Sequence, residues 1–450
     1  MTDPDSSPID GRMLVEPARS LRGRIRVPGD KSISHRVLML AALAEGKSTI
    51  GGLSDGGDVA STLAIIEALG ARVDSEVDLL GQRILHIFGG DLGPAVGDLN
   101  VGNSGTGIRL LAGMLAGLPF SSVLDGDASI RGRPMDRVLN PLHKMGASIV
   151  GCNADPVNGA GMAPLVIDGG GLRGIEYQSP VASAQVKGCV LFAGLSADRP
   201  TTVVERWPTR THTEELMTAT GIDIECFRAG GLDRITVSPG RPDPFDHDVA
   251  GDPSQAAFWA VGASIVPDSK VVIENVYVGP ERSGFVAVLA RMGADVTHDE
   301  ATGDLVVRTP SSGTLEATTV RAEEIPGLVD EVPALAVAAA CAEGKTVFEG
   351  VGELRVKESD RLVAVESELG RMGAEVRVEG DRLVVWGRPG EGFCGTSVDA
   401  HHDHRIAMSC AIAALVADGP TTINGWESVA TSYPTFADHL AVLLATEMES

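Results

Sequence analysis

Apolar runs at helical spacing end again and again on a glycine and give way to a short β-branched stretch. "IEALGARV" (66–73), "LHKMGASI" (142–149), "MTATGIDI" (217–224), "LARMGADV" (289–296) and "LGRMGAEV" (369–376) are five copies of one pattern. "LAVLLATE" (440–447) is a degraded sixth, with Leu444 in the glycine's place. Each copy predicts a helix closed by glycine in the left-handed C′ position, followed by a strand. The glycines at 70, 146, 221, 293 and 373 lie 76, 75, 72 and 80 residues apart, and one sixth of the 450-residue chain is 75. A second element repeats out of phase: "AALAEGKSTIGGL" (41–53) and "AAACAEGKTVFEGV" (338–351) are nearly the same text, with looser copies ending near Leu118, Asp198, Pro267 and Gly419. The pattern predicts six units, each with two helices and several strands.

Three units fall between about Val27 and Phe245, and three follow from Asp246. "SPGRPDPFDHD" (238–248) is the one long Pro/Asp-rich break and reads as a crossover. The expected domains are 27–245, and 246–450 together with residues 1–26, with a second crossover at Pro28-Gly29.

Composition narrows the partners. With 43% hydrophobic residues the chain can bury a sizeable core. A net charge of −24 argues against nucleic acid or an anionic membrane, so an anionic ligand would need a local basic pocket. The start, "MTDPDSSPIDGR", is polar and acidic and reads as a frayed tail, and no apolar run reaches the roughly 18 residues of a membrane span. Six cysteines without a CxxC pair suggest free thiols in a reducing cytoplasm, most of them buried as small hydrophobes.

Candidate chemistry sits at one phase of the repeat. The first helix of each unit opens at "GDKSISHR" (29–36), "GNSGTGIR" (102–109), "SPVASAQVK" (179–187), "GDPSQAAFW" (251–259), "VDEVPALAV" (329–337) and "DHRIAMSC" (403–410). Second helices open near "GGDVAST" (56–62), "RGRPMDR" (131–137), "TRTHTEE" (209–215), "PERSGF" (280–285), "RVKESDR" (355–361) and "TSYPTF" (431–436). Small polar residues there are ordinary caps. Lys31, Arg36, Arg133, Arg210, Lys357, Arg361 and Arg405 are not, because a cation at a helix start opposes the dipole. Seven such placements point to a shared anionic ligand. If symmetry turns these starts to one face of each domain, the pocket also gains the carboxylates Asp330 and Glu358 and the donors Ser183 and Gln185. Two small phosphorylated acids suit it better than a nucleotide.

Two motifs mislead. "EGKST" (45–49) and "EGKT" (343–346) lack the earlier glycine of a Walker loop and run from helix to strand, the reverse order. "HHDHR" (401–405) sets its His and Asp side chains in adjacent positions, which point in different directions. It reads as helix capping and support for Arg405, so no metal is expected.

Taken in order, "PGDKSISHR", "GNSGTGIR", "RPMDRVLNPL", "ASAQVK", "RTHTEE", "LRVKESDR" and "DHRIAMS" closely resemble the EPSP synthases (3-phosphoshikimate 1-carboxyvinyltransferases) of the enolpyruvyl transferase family, over about residues 20–440. The resemblance implies an α/β fold, a two-domain inverse α/β barrel of six βαβαββ units, three per domain, joined by two crossover strands. It implies transfer of the enolpyruvyl group of phosphoenolpyruvate to the 5-hydroxyl of shikimate 3-phosphate, with release of phosphate and no cofactor. A cytoplasmic monomer acting on these two small molecules is expected, with domain closure on binding. Matched by motif, Lys31, Ser32, Arg36, Ser183, Ala184, Gln185, Arg210, Asp330 and Lys357 would contact shikimate 3-phosphate. Lys31, Gly105, Arg133, Gln185, Arg361 and Arg405 would hold phosphoenolpyruvate. Asp330 is implied as the base and Glu358, with Lys31, as the proton donor to the methylene carbon.

Glu353 and Thr431 stand where the family pattern has Asn and Lys. "SAQVK" and "RTHTEE" resemble the glyphosate-tolerant branch, but that branch has Ala where this chain has Gly105, so inhibition by glyphosate is expected. The homologous transferase acting on UDP-N-acetylglucosamine is the enzyme alternative. "GDASIRGRPM" (126–135) lacks its usual reactive Cys, and "SAQVK" and "VKESDR" point away from it. A non-catalytic anion-binding scaffold is disfavoured by the paired carboxylates.

Overall fold

The structure is a computed structural model that describes residues 11–78, 82–155, 159–279 and 281–445. The first ten residues of the expected tail, Pro280 of "PERSGF" and the last two residues of "LAVLLATE" lie outside the described residues. The chain divides into two compact units, Gly29–Val249, and Met1–Pro28 with Ala250–Ser450.

In the unit Gly29–Val249 three four-stranded sheets share one plan. An edge strand pairs in parallel with a central strand, and an antiparallel hairpin completes the sheet. The second sheet shows it in full: Leu99–Asn100 runs beside Ser121–Asp125, followed by Gly161–Asp168 and Ser148–Ala154. A parallel pair needs a crossover, and the helix Gly105–Gly117 supplies it. The helix Asp136–Lys144 then leads into the hairpin, which completes β-α-β-α-β-β. The third sheet repeats the plan with Glu176–Gln178, Thr201–Glu205, Leu232–Val237 and Ile224–Ala229.

The first sheet closes the unit on itself. Its parallel edge strand is Asp246–Asp248, which pairs with Thr49–Gly51 of the strand Gly46–Gly51. These three residues therefore sit with the preceding unit, and the division falls four residues beyond the break expected at 245/246.

The other unit is permuted in the same way. Arg22–Ile25 provides the parallel edge beside Lys270–Ile273, and Arg12–Val15 pairs antiparallel with Thr421–Asn424. The middle sheet, around Ala342–Glu349 and Arg382–Gly387, takes all its strands from the C-terminal part of the chain.

The crossover helices Lys31–Leu43, Gly105–Gly117 and Ala184–Gly194 form the core of the first unit; Pro253–Ile265, Val332–Ala340 and His404–Ala414 form that of the second. They are apolar almost all round, as helices packed on every side must be. Close approach is built in: a Cβ at Gly113 would lie 2.1 Å from the Cys189 carbonyl oxygen on the neighbouring helix. The outer helices end as the pattern predicts, with Gly70, Gly146, Gly221, Gly293 and Gly373 all at positive φ.

The cysteines depart from expectation. Only Cys189 and Cys410 are buried, while Cys152, Cys226 and Cys394 are exposed and Cys341 is intermediate. Cys152 and Cys226 lie on the hairpin edge strands Ser148–Ala154 and Ile224–Ala229, whose outer faces meet solvent. Among the described residues no helix is long and apolar enough to cross a membrane.

Candidate active site

Contacts between neighbouring crossover helices bring the three helix starts of the first unit together at one end. In the unit Gly29–Val249, Asp30, Ser104 and Ser183 cap them, accepting from the backbone N–H of Ile33, Gly107 and Val186. His35 ties two starts together: Nδ1 meets Thr62 Oγ1 at 2.7 Å and Nε2 meets Ser104 Oγ at 3.2 Å. Burial pulls the imidazole down to about 3, so it stays neutral.

Arg36 and Arg109 share one construction. Side chains on a helix lean toward its N-terminus, so a residue can reach the carbonyl four positions back. Arg36 Nη1 donates to Ser32 O and Arg109 Nη1 to Gly105 O, both at 2.8 Å. Arg36, only 2% exposed, also donates to Thr213 Oγ1 at 2.7 Å and to Ala184 O at 3.4 Å. Among the described residues every hydrogen-bond acceptor it has is a neutral oxygen. Burial, with Arg210 adding to it and Glu214 and Asp30 opposing, pulls the guanidinium down to about 10. Arg109 behaves alike: burial and then Arg133 lower it to about 10.

Gln185 joins the next helix start to this set. Its Oε1 accepts from Arg109 at 3.0 Å and its Nε2 donates to Thr106 Oγ1 at 3.0 Å. Arg133 donates to Asn103 Oδ1 at 2.9 Å and Ser129 Oγ at 3.0 Å. A Cβ on Gly105 would come within 2.8 Å of Arg133 Nη1 and 3.1 Å of Arg109 Nη1, so glycine leaves the space between two cations open. Lys31, the first residue of its helix, pairs with Asp58 at 2.9 Å. Lys31, Ser32, Arg36, Gly105, Arg133, Ser183, Ala184, Gln185 and Arg210 thus belong to one cluster at one end of this unit.

The second unit gathers the rest around Arg361, which is 1% exposed. Its Nη1 lies 3.2 Å from Asp330 Oδ1, its Nη2 2.5 Å from Glu358 Oε2, and its Nε 2.8 Å from Asp403 Oδ2. Burial would discharge this guanidinium, but Glu358, Asp403 and Asp330 outweigh it and raise its pKa. Asp403 is lowered: burial pushes it up, and Arg361 together with His404 more than reverses that. Lys357 Nζ stands 3.5 Å from Asp330 Oδ1 and 3.1 Å from Glu353, and Arg405 Nη1 donates to the Asp330 carbonyl oxygen at 3.1 Å. Glu353 is therefore a partner of Lys357, whereas Thr431 turns its hydroxyl to the Ser428 carbonyl. Asp403 caps the helix His404–Ala414 through Arg405 N–H, and His401 points to Glu368. Among the described residues no group of three or more His, Cys, Asp or Glu is arranged to hold a metal.

Three participants escape the sequence pattern. Arg109 stands inside "GNSGTGIR", and its four-residue offset from Gly105, matching Ser32–Arg36, is the signal that could have found it. Asp403 reads as a cap yet also grips Arg361. Thr213 reaches Arg36 across 177 residues, which no local pattern reveals.

The family model for EPSP synthase (3-phosphoshikimate 1-carboxyvinyltransferase) matches residues 15–440. A 3-phosphoshikimate 1-carboxyvinyltransferase of Gloeobacter violaceus is 47% identical over 95% of this chain and 98% of its own length. One from Chloroflexus aurantiacus is 45% identical over 97% and 99%. The solved EPSP synthase of Acinetobacter baumannii superposes with a TM-score of 0.83 at 40% identity, covering 96% of this chain and 98% of that one. With its repeats, its helix-start cations and its Arg361-centred carboxylates, the chain belongs to the EPSP synthase family.

Proposed function

We propose that the chain transfers the enolpyruvyl group of phosphoenolpyruvate to the 5-hydroxyl of shikimate 3-phosphate, giving 5-enolpyruvylshikimate 3-phosphate and phosphate in the pathway to aromatic amino acids. Arg36, Arg210, Lys31, Ser32, Ser183, Ala184, Gln185 and Lys357 bind shikimate 3-phosphate. Gly105, Arg133, Gln185, Lys31, Arg361 and Arg405 bind phosphoenolpyruvate. No cofactor takes part.

Asp330 takes the proton of the 5-hydroxyl as its oxygen bonds to C2 of phosphoenolpyruvate, and Glu358, assisted by Lys31, protonates C3. In the second half C3 returns its proton to Glu358, the C2–O bond to phosphate breaks, and the hydroxyl proton leaves with phosphate. General acid and base catalysis of this kind contributes typically about 10²–10⁴-fold. The fixed guanidinium groups stabilise charge on the carboxylate and the departing phosphate without reorganising. The observation that carries the reading is that Asp330 and Glu358 share one guanidinium, one on each Nη of Arg361.

All six cysteines are unpaired, three of them exposed, which suits a reducing compartment; we assign the protein to the cytoplasm as a monomer. The deciding assay is phosphate release from phosphoenolpyruvate with shikimate 3-phosphate and, separately, with UDP-N-acetylglucosamine. Turnover with the first alone is expected. Turnover with the second alone, or with neither, overturns the assignment.

A further inference from the structure

Lys187 is 1% exposed and lies in the helix Ala184–Gly194. Its Nζ has three acceptors, one for each N–H: Glu205 Oε2 at 3.0 Å, Glu214 Oε1 at 2.6 Å and the Thr209 carbonyl at 3.2 Å. Burial acts to discharge the ammonium, but Glu214 and Glu205 outweigh it and hold its pKa above the ordinary lysine value. Thr209 Oγ1 donates to Glu205 Oε1 at 2.8 Å. Both carboxylates are themselves buried, at 2% and 5% exposure.

The three acceptors come from separate pieces of chain. Glu205 ends the strand Thr201–Glu205, Thr209 lies in the following loop, and Glu214 is in the first turn of the helix His212–Ala219. One ammonium therefore pins both ends and the middle of the segment 205–214. That segment carries Arg210, next to the pinned Thr209 carbonyl, and Thr213, next to Glu214, whose hydroxyl accepts from Arg36 Nε at 2.7 Å.

We propose that Lys187 is a positioning residue for the two arginines, Arg36 and Arg210, that bind shikimate 3-phosphate. The inference rests on the substrate assignment above. A stability role alone does not require one ammonium to serve a loop carbonyl as well as two carboxylates. A buried charge with all its donors satisfied fixes geometry, and a partly satisfied one does not. Arginine's planar fork does not reproduce three converging point contacts, so even the charge-conserving change disturbs the segment.

The test compares Lys187→Arg and Lys187→Met with the wild type, reading phosphate release, thermal midpoint and the two KM values. Wild-type turnover with shikimate 3-phosphate tests the substrate assignment by itself; the variant-to-wild-type ratio tests Lys187. For Lys187→Arg we expect KM for shikimate 3-phosphate to rise at least about 10-fold, the equivalent of one lost charge-assisted contact, while KM for phosphoenolpyruvate at saturating shikimate 3-phosphate changes less than about 2-fold. Lys187→Met should show a larger rise of the same kind, and where it does not fold the arginine variant decides. A folded variant whose two KM values stay at wild-type levels, or rise by the same factor, overturns the proposal.

Discussion

The two units are built from the same repeat, yet they hold their most buried arginines, Arg36 and Arg361, in opposite ways. In Gly29–Val249 the guanidinium groups of Arg36, Arg109 and Arg133 donate to carbonyl, hydroxyl and amide oxygens, and burial depresses the first two. In the other unit Arg361 is gripped by three carboxylates, which raise its pKa. A buried cation without a counter-charge costs folding free energy that an anionic ligand can recover. A cation surrounded by carboxylates is already neutralised, and it holds those carboxylates in place. On the proposed function, the first unit would receive the anion and the second would hold the acid and the base. The same fold serves both because the helix starts set the positions, while the residues a few places along decide the charge.

The comparison breaks first at the carboxylates. Glu358→Gln and Asp330→Asn should each lower kcat by about 10²–10⁴-fold, with affinity for shikimate 3-phosphate altered far less. Steady-state phosphate release, with binding measured separately, checks this.

Stability separates the arginines next. Arg361→Met leaves Asp403 fully buried without its ion pair and should cost about 3–5 kcal/mol in denaturant unfolding. For Arg36→Met, losing neutral hydrogen bonds is offset by removing a buried charge that has no direct ion pair among the described residues, so a cost of at most about 1 kcal/mol is expected. Equal losses for the two variants would remove the distinction between the units.

Gly105→Ala sharpens the picture at smaller scale. The new methyl at 2.8 Å from Arg133 Nη1 forces that guanidinium aside. Phosphoenolpyruvate should bind roughly 5- to 10-fold more weakly, about 1 kcal/mol, with glyphosate inhibition weakened further. Inhibition constants equal to wild type would contradict this.

A pH slope tests the first unit's burial independently of any ligand. His35 is depressed to about 3 in the folded protein, so between pH 6.5 and 3 the unfolded chain binds a proton that the native one does not. Its contribution is intact above pH 6.5 and is lost as pH falls through that window, at about 1.4 kcal/mol per unit. Between pH 6.5 and 5, His35→Gln should flatten the stability curve by about that slope, read from denaturant midpoints.

Much of this was legible before any coordinates. The C′ glycines mark helix ends because left-handed φ is costly for other residues, and all five take it. The helix-start cations stood out because they oppose the dipole. Contacts that cross the repeat were not legible: Thr213 with Arg36, Asp403 with Arg361 and Lys187 with Glu205 and Glu214 depend on which helices become neighbours. Asp246–Asp248 misled because its pairing with Thr49–Gly51 is set by closure of the first unit and not by local composition. The exposed cysteines misled because hydrophobicity does not say which face of an edge strand meets water.

The claim beneath the comparison is that Arg36 carries a buried positive charge kept for the anionic substrate shikimate 3-phosphate. Its dissociation constants with wild type and Arg36→Met, at fixed salt, test it most directly. Arg36→Met should bind shikimate 3-phosphate at least about 100-fold more weakly while remaining folded. An unchanged dissociation constant in a folded Arg36→Met protein would contradict the account.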